Sequence, residues 1–350
     1  MRRPAPLPES LRSGPFSAAH ARAAGVGPGR LRRSDIRRLA HGLYRWAGAP
    51  DPQHDDDSPG VVAPAGFGPA RRGGEDAAYT WSPPLDAAQL ARLELLLPHR
   101  ESLALSHLTL ARVEGLWLPP RLERVDALHV SRGRGLTQLA APRVVSHRTV
   151  LRSTDLRRVE VGGRQWLATT RTRLWLDMAT LLRDDELVVL GDHLIARAGR
   201  EGRSTDAAER CLAELTAGID ATPSCRNSRR RLRAAAARLR VGADSPPETE
   251  LRLALVAAGL PEPELQIAVR DPAFSVHHPA TADLGYRRAR LALHYDGDHH
   301  GRDRQIDGDV QRNAAFERRG FRNVVVSSSD RRAGFARVVR AVREHLAGPA

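Results

Sequence analysis

The chain contains no lysine: all 55 basic side chains among its 350 residues are arginine. Its two cysteines, Cys211 and Cys225, are too few for a disulfide framework or a zinc knuckle and suit a reducing compartment. No apolar run approaches the roughly 18 residues of a membrane-spanning helix. The stretch from Met1 to Gly14 has arginines and prolines but no apolar core, so no secretory signal is expected there. These absences lead to the expectation of a soluble, cytoplasmic protein that does not engage a membrane. What is abundant is positive charge, a formal +14. That excess points to a polyanionic partner, DNA or another nucleic acid, because arginine forks onto phosphate and stacks on bases. Hydrophobic residues at 41% allow globular packing, and the length predicts two or three domains. No small-molecule cofactor is expected, and a homodimer is left open.

The fold class expected is α/β and multidomain. Residues 15–48 have the order of a winged helix-turn-helix. Ser17 can cap a helix over 18–24, Gly25 stops it, Gly29 to Ile36 can start a basic second helix, and Leu39 to Trp46 alternates as a short strand pair. Arg30, Arg32 and Arg33 would then open the recognition helix. Residues 49–77, rich in Pro, Gly, Ala and Asp, read as a disordered insertion. Residues 78–200 form an α/β middle domain, with helices expected over 86–97, 106–114, 172–182 and 184–198 and strands over 124–130 and 144–148. His107, His129 and His147 lie there without ligand spacing and are expected as core or surface residues. Residues 201–244 are a linker with an arginine-rich helix over 226–240. It either lies along phosphate or is an amphipathic connector with Leu232, Ala235, Ala236 and Leu239 inward.

Residues 245–348 carry the chemistry. Ala282-Asp283-Leu284-Gly285-Tyr286 and Leu291-Ala292-Leu293-His294-Tyr295-Asp296 alternate like half-buried strands around a loop, Arg287 to Arg290. Counting outward from that loop pairs Tyr286 with Leu291 and Asp283 with His294, whose Cβ atoms would sit about 5 Å apart. Asp296 points to the same face as His294. Two carboxylates and an imidazole, with His299 and His300 just beyond, repel one another unless a cation sits among them. Glu248 follows Ser245 by three residues and so also fits a capping box. Gly297 and Asp298 fit a plain turn. The expected element order of this module is α-β-β-β-α-β-α, a small mixed sheet flanked by helices.

Several motifs of this module resemble a bacterial domain family related to very-short-patch-repair endonucleases. They are Glu-Thr-Glu-Leu-Arg-Leu from Glu248, Gly-Leu-Pro-Glu-Pro from Gly259, Ala-Asp-Leu-Gly-Tyr from Ala282, Tyr-Asp-Gly-Asp-His-His from Tyr295 and Arg-Arg-Gly-Phe-Arg-Asn-Val-Val-Val from Arg318. The family belongs to the restriction-endonuclease-like superfamily with its P-D-(D/E)-x-K core. The first 200 residues more loosely resemble AbiE-type abortive-infection antitoxins. The resemblance implies a DNA endonuclease that uses a divalent ion, Mg²⁺ or Mn²⁺. Glu248 would be the helix-borne acid and Asp283 the central ligand. His294 and Asp296 would be further ligands, and His299 or His300 the proton-transfer group, since there is no lysine. Arg302, Arg304 and Arg312 would hold the DNA backbone. The chain departs from the family at His294, where the family usually carries Glu; imidazole suits Zn, Mn, Fe or Ni better than Mg. The alternative is an inactive DNA-binding regulator or antitoxin-like protein.

Overall fold

The computed structural model describes residues 6–12, 16–17, 21–22, 24–40, 43–47, 82–136, 139, 141–296 and 303–348. They form a mixed α/β protein and divide into two compact units. One lies within 1–68, 84–113 and 124–170, the other within 69–83, 114–123 and 171–350. The expected insertion over 49–77 and most of the expected first helix lie outside the described residues.

In the first unit, β1 (Phe16–Ser17), β2 (Ile36–Ala40) and β3 (Leu43–Trp46) make an antiparallel sheet in the order β1-β3-β2. The expected recognition helix is absent among the described residues. Arg30–Arg32 is a single 3-10 turn, and a strand already begins at Ile36. Arg30 explains the difference: its guanidinium grips Asp35 with two bonds, 2.7 and 2.6 Å, which closes the segment as a turn. Leu31 and Ile36 do point inward, packing with Leu7, Leu11, Ala21 and Val26.

The rest of this unit comprises α1 (Ala87–Glu94), β4 (Ala104–Leu105), α2 (His107–Val113), β5 (Leu128–Gly133), β6 (Val144–Thr149), β7 (Leu156–Val161) and β8 (Arg164–Thr169). Asp86 and Gln89 close a reciprocal capping box on α1, with bonds of 2.7 and 3.1 Å. The strands form one mixed sheet, β6-β5-β4-β8-β7, with β6 and β7 at its edges. The β7–β8 hairpin turns on Gly162 and Gly163, both with positive φ (+60° and +69°), and Val161 pairs with Arg164. Such a two-residue loop matches the twist of its strands only in a left-handed conformation, hence the two glycines.

The second unit begins with α3 (Pro120–Glu123), α4 (Arg171–Met178), α5 (Asp184–Gly202), α6 (Thr205–Ala221) and α7 (Arg229–Ala236). Leu232, Ala235 and Leu239 are buried, as their stripe predicts. Of the seven arginines over 226–240, four are held by short ion pairs within the protein. Arg231 bonds Asp184 at 2.7 Å and Arg233 bonds Asp220 at 2.7 Å. Arg238 bonds Asp185 at 2.8 Å, and Arg240 bonds Glu262 at 2.8 Å. These pairings favour the connector over a phosphate-binding helix.

The C-terminal module follows as α8 (Pro246–Ala257), β9 (Glu264–Val269), β10 (Ala280–Tyr286), β11 (Leu291–Asp296), α9 (Asp303–Arg318), β12 (Arg322–Ser327), α10 (Ser328–Arg332) and α11 (Ala336–Ala347). Proline at the first position of α8 suits a helix start, where no N–H partner is needed. The sheet order is β12-β11-β10-β9, with β11–β12 parallel and the other two pairings antiparallel. Leu251 and Leu255 of α8 and Val338 and Val342 of α11 cover one face over Leu284, Leu291, Leu293 and Val326. Ala315 and Phe316 of α9 cover the other face over Ile267, Ala282 and Ala292. Three layers result, with the sheet in the middle.

Candidate functional site

The β10–β11 register is the one counted from the loop. Tyr286 pairs with Leu291, Gly285 with Ala292, and Leu284 with Leu293. Gly285 is required here, because a Cβ would lie 2.3 Å from the Leu291 carbonyl oxygen. The ladder then stops one pair short of Asp283 and His294. Residues two apart in a regular strand share a face. Here Ala282 packs on the α9 side and Leu284 on the α8 side. The neighbouring strand makes the same switch between Ile267 and Leu265, across Gln266, which has φ +50°. The pleat is therefore interrupted at Asp283, and alternation no longer reports which way its side chain points.

Asp283 accepts the backbone N–H of Tyr295 on Oδ2 at 2.7 Å. It is close enough to Glu248, on the first turn of α8, to raise that residue's pKa. Glu248 is 5% exposed. Its Oε1 accepts the Ser245 hydroxyl at 2.7 Å and its Oε2 the Asp244 N–H at 2.9 Å. Gln266 reaches Oε2 from β9 at 3.5 Å. The expected capping box is thus altered, since Glu248 takes the Asp244 rather than the Ser245 N–H. Burial pushes the Glu248 carboxyl well above its ordinary range, and the Asp283 carboxylate pushes it further.

His294 belongs to a different environment. On β11, Leu291 and Leu293 face α8, while Ala292 faces α9. His294 shares the second side, edge-on to Phe316 of α9 at 5.2 Å. Its Nε2 meets Asn323 Oδ1 at 3.1 Å, and the Asn323 amide donates to the Asn313 carbonyl at 2.8 Å. With that amide already donating, His294 carries its proton on Nε2. Burial lowers its pKa to about 4. The expected patch of Asp283, His294 and Asp296 is therefore not assembled. The structure brings Glu248 and Asp283 together and turns His294 to the opposite side of the sheet. Asp296 ends β11 exposed, opposite Ser327 of β12.

His299, His300 and Arg302 lie outside the described residues, and Arg304 lies on the first turn of α9. Arg312 is paired with Asp309 at 2.8 Å. Arg30 is held by Asp35, Arg32 lies in the 3-10 turn, and Arg33 is exposed.

Sequence reasoning missed two groupings. Asp192 on α5 accepts from Arg252 (2.7 Å) and Thr249 (3.0 Å) of α8 in buried contacts, and from the Arg240 N–H (2.8 Å). Thr249 and Arg252 lie one and four residues after Glu248, a helical spacing that marks them as neighbours on α8 but names no partner. In the first unit, His107, His129 and His147 meet, each offering a ring nitrogen within 4.8 Å of the others. Comparison with protein-family models, curated proteins and solved structures finds no match for the chain.

Proposed function

We propose that the protein acts on DNA and that its C-terminal module is a nuclease-type unit in which Glu248 and Asp283 hold one divalent cation against a phosphodiester group. The observation that carries this reading is the buried Glu248 carboxylate on the first turn of α8, held by Ser245 and Asp244, with its pKa raised first by burial and then by the Asp283 carboxylate. Such a pair is unfavourable alone and is relieved by a proton or a cation. Carboxylate oxygens are hard donors and fit Mg²⁺ or Mn²⁺. The acids sit on α8 and β10 of a module with the order α-β-β-β-α-β-α-α, and the resemblance to the very-short-patch-repair-related family implies acids at these two positions. The formal charge of +14 suits a DNA partner.

A bound ion would neutralise charge developing on the phosphoryl oxygens and make bound water more acidic. The chain's own groups fix the acids in place. Asp244 N–H and Ser245 hydroxyl orient Glu248, and Tyr295 N–H orients Asp283. Asp296, exposed at the strand end, is placed to meet solvent-borne substrate.

His294 favours a second reading, a DNA-binding protein that does not cut. The position where the family usually carries an acid is a buried, neutral ring on the α9 side, so it adds no ligand beside Glu248. Supercoiled-plasmid nicking with Mg²⁺ and with Mn²⁺ separates the two. Nicking that is lost in Asp283→Ala supports the enzyme. Metal-independent, salt-sensitive binding without nicking, in wild type and Asp283→Ala alike, supports the second reading.

A further inference from the structure

Three histidines separated by 40 residues converge in the sheet of the first unit. His107 opens α2 immediately after β4, His129 lies on β5 and His147 on the edge strand β6. β5 and β6 are parallel, with His129 opposite Val145 and Ser131 opposite His147. His147 is thus two residues beyond the partner of His129 and shares its face. His129 Nδ1 and His147 Nε2 are 3.0 Å apart, and the His107 ring stacks on His147 at 3.7 Å with the planes 13° apart. We propose that His107, His129 and His147 form a binding site for a divalent transition ion of the zinc class, with a fourth position open to water or an oxyanion.

Geometry, chemistry and support all contribute. Three nitrogens around a tetrahedral ion at about 2.0–2.1 Å stand roughly 3.3 Å from one another, so the His129–His147 pair needs a small opening and the His107 ring a tilt out of its stack on His147 to aim at the same ion. Imidazole nitrogens without a carboxylate select Zn, Ni, Co or Cu over Mg and Ca. His107 and His129 are each 4% exposed, so their rings are held inside the sheet rather than free in solvent. Ser106 Oγ contacts His107 Nδ1 at 3.0 Å and accepts the Ser131 hydroxyl at 2.8 Å, a second layer of bonds of the kind that orients metal-binding rings. His147 is half-buried on an edge strand, which gives an ion a way in.

The test uses the full-length chain stripped with a chelator and titrated with Co²⁺, then Zn²⁺. Expected is one equivalent of Co²⁺ with the visible absorption of a tetrahedral ion, displaced by Zn²⁺ and indifferent to Mg²⁺. Affinity should fall at least about 100-fold in His147→Gln and in His129→Gln, and stay unchanged in Asp283→Asn, which separates this site from the acid pair. Absence of Co²⁺ uptake would overturn the site. So would uptake that survives both histidine variants and is lost instead on replacing the exposed His277 and His278. If either buried variant fails to fold, X-ray absorption of the Zn²⁺-loaded wild type decides: three imidazole nitrogens at about 2.0 Å support the site, and fewer than three refute it.

Discussion

Two buried carboxylates, Asp192 on α5 and Glu248 on α8, meet opposite surroundings. Burial raises the Asp192 pKa, but it is met by a guanidinium, a hydroxyl and a backbone N–H, all of which oppose that upward push. Glu248 is met by Ser245 and Asp244, and beyond them by Asp283, another carboxylate that adds to burial. The first arrangement is a structural tie between α5 and α8, extended by the Arg252–Glu262 bond at 2.7 Å. The second works against stability. The fold thus opposes the burial of one acid with a cation and donors and adds a second acid to the burial of the other.

That contrast can be broken in several ways, and the largest effect is expected at Asp192. Asp192→Ala leaves Arg252 buried without its carboxylate and should cost about 3–5 kcal/mol in denaturant unfolding. A loss below about 1 kcal/mol would place Asp192 and Glu248 in the same class. Next, Glu248→Gln should cut Mn²⁺ affinity by more than about 10–100-fold, beyond what an outer ligand change costs, measured calorimetrically. The pH dependence sharpens the contrast further. An acid whose folded pKa is raised keeps its proton longer when folded. Its contribution to stability is thus intact below the ordinary value of 4.5 and is lost as pH rises toward the raised folded value. Thermal unfolding between pH 5 and neutrality should show wild type losing stability relative to Glu248→Gln, with Mn²⁺ restoring it. Smallest of all, Arg231→Ala and Arg238→Ala should leave the salt slope of DNA binding unchanged. A phosphate-contacting arginine would lower that slope by about one unit.

Much of the C-terminal module was legible because its signals are local. Alternation and a four-residue loop locate the β10–β11 register, and Pro246 marks the start of α8. The site was legible only in part. Period-two reasoning assumes an unbroken pleat, and the switch of faces across Asp283 and Gln266 breaks it, separating His294 from the acids it was expected to join. The opposite failure occurs in the first unit. His107, His129 and His147 show no ligand spacing because a parallel pairing and the short strand β4, neither visible in local pattern, bring them together. The β7–β8 hairpin is missing from the expected elements, although Gly162-Gly163 between its strands is a turn signal. The recognition helix failed for a local reason, the Arg30–Asp35 grip that closes a turn where helical spacing was expected.

The central claim is that Glu248 and Asp283 share a proton in the free protein and a cation in the working one. Infrared difference spectroscopy of Glu248→Gln against wild type at mildly acidic pH, above the ordinary carboxylate range, reads this directly. The account predicts a carbonyl band of a buried protonated carboxylic acid that disappears from wild type when Mn²⁺ is added. A band that persists at saturating Mn²⁺, or no such band at all, would contradict it.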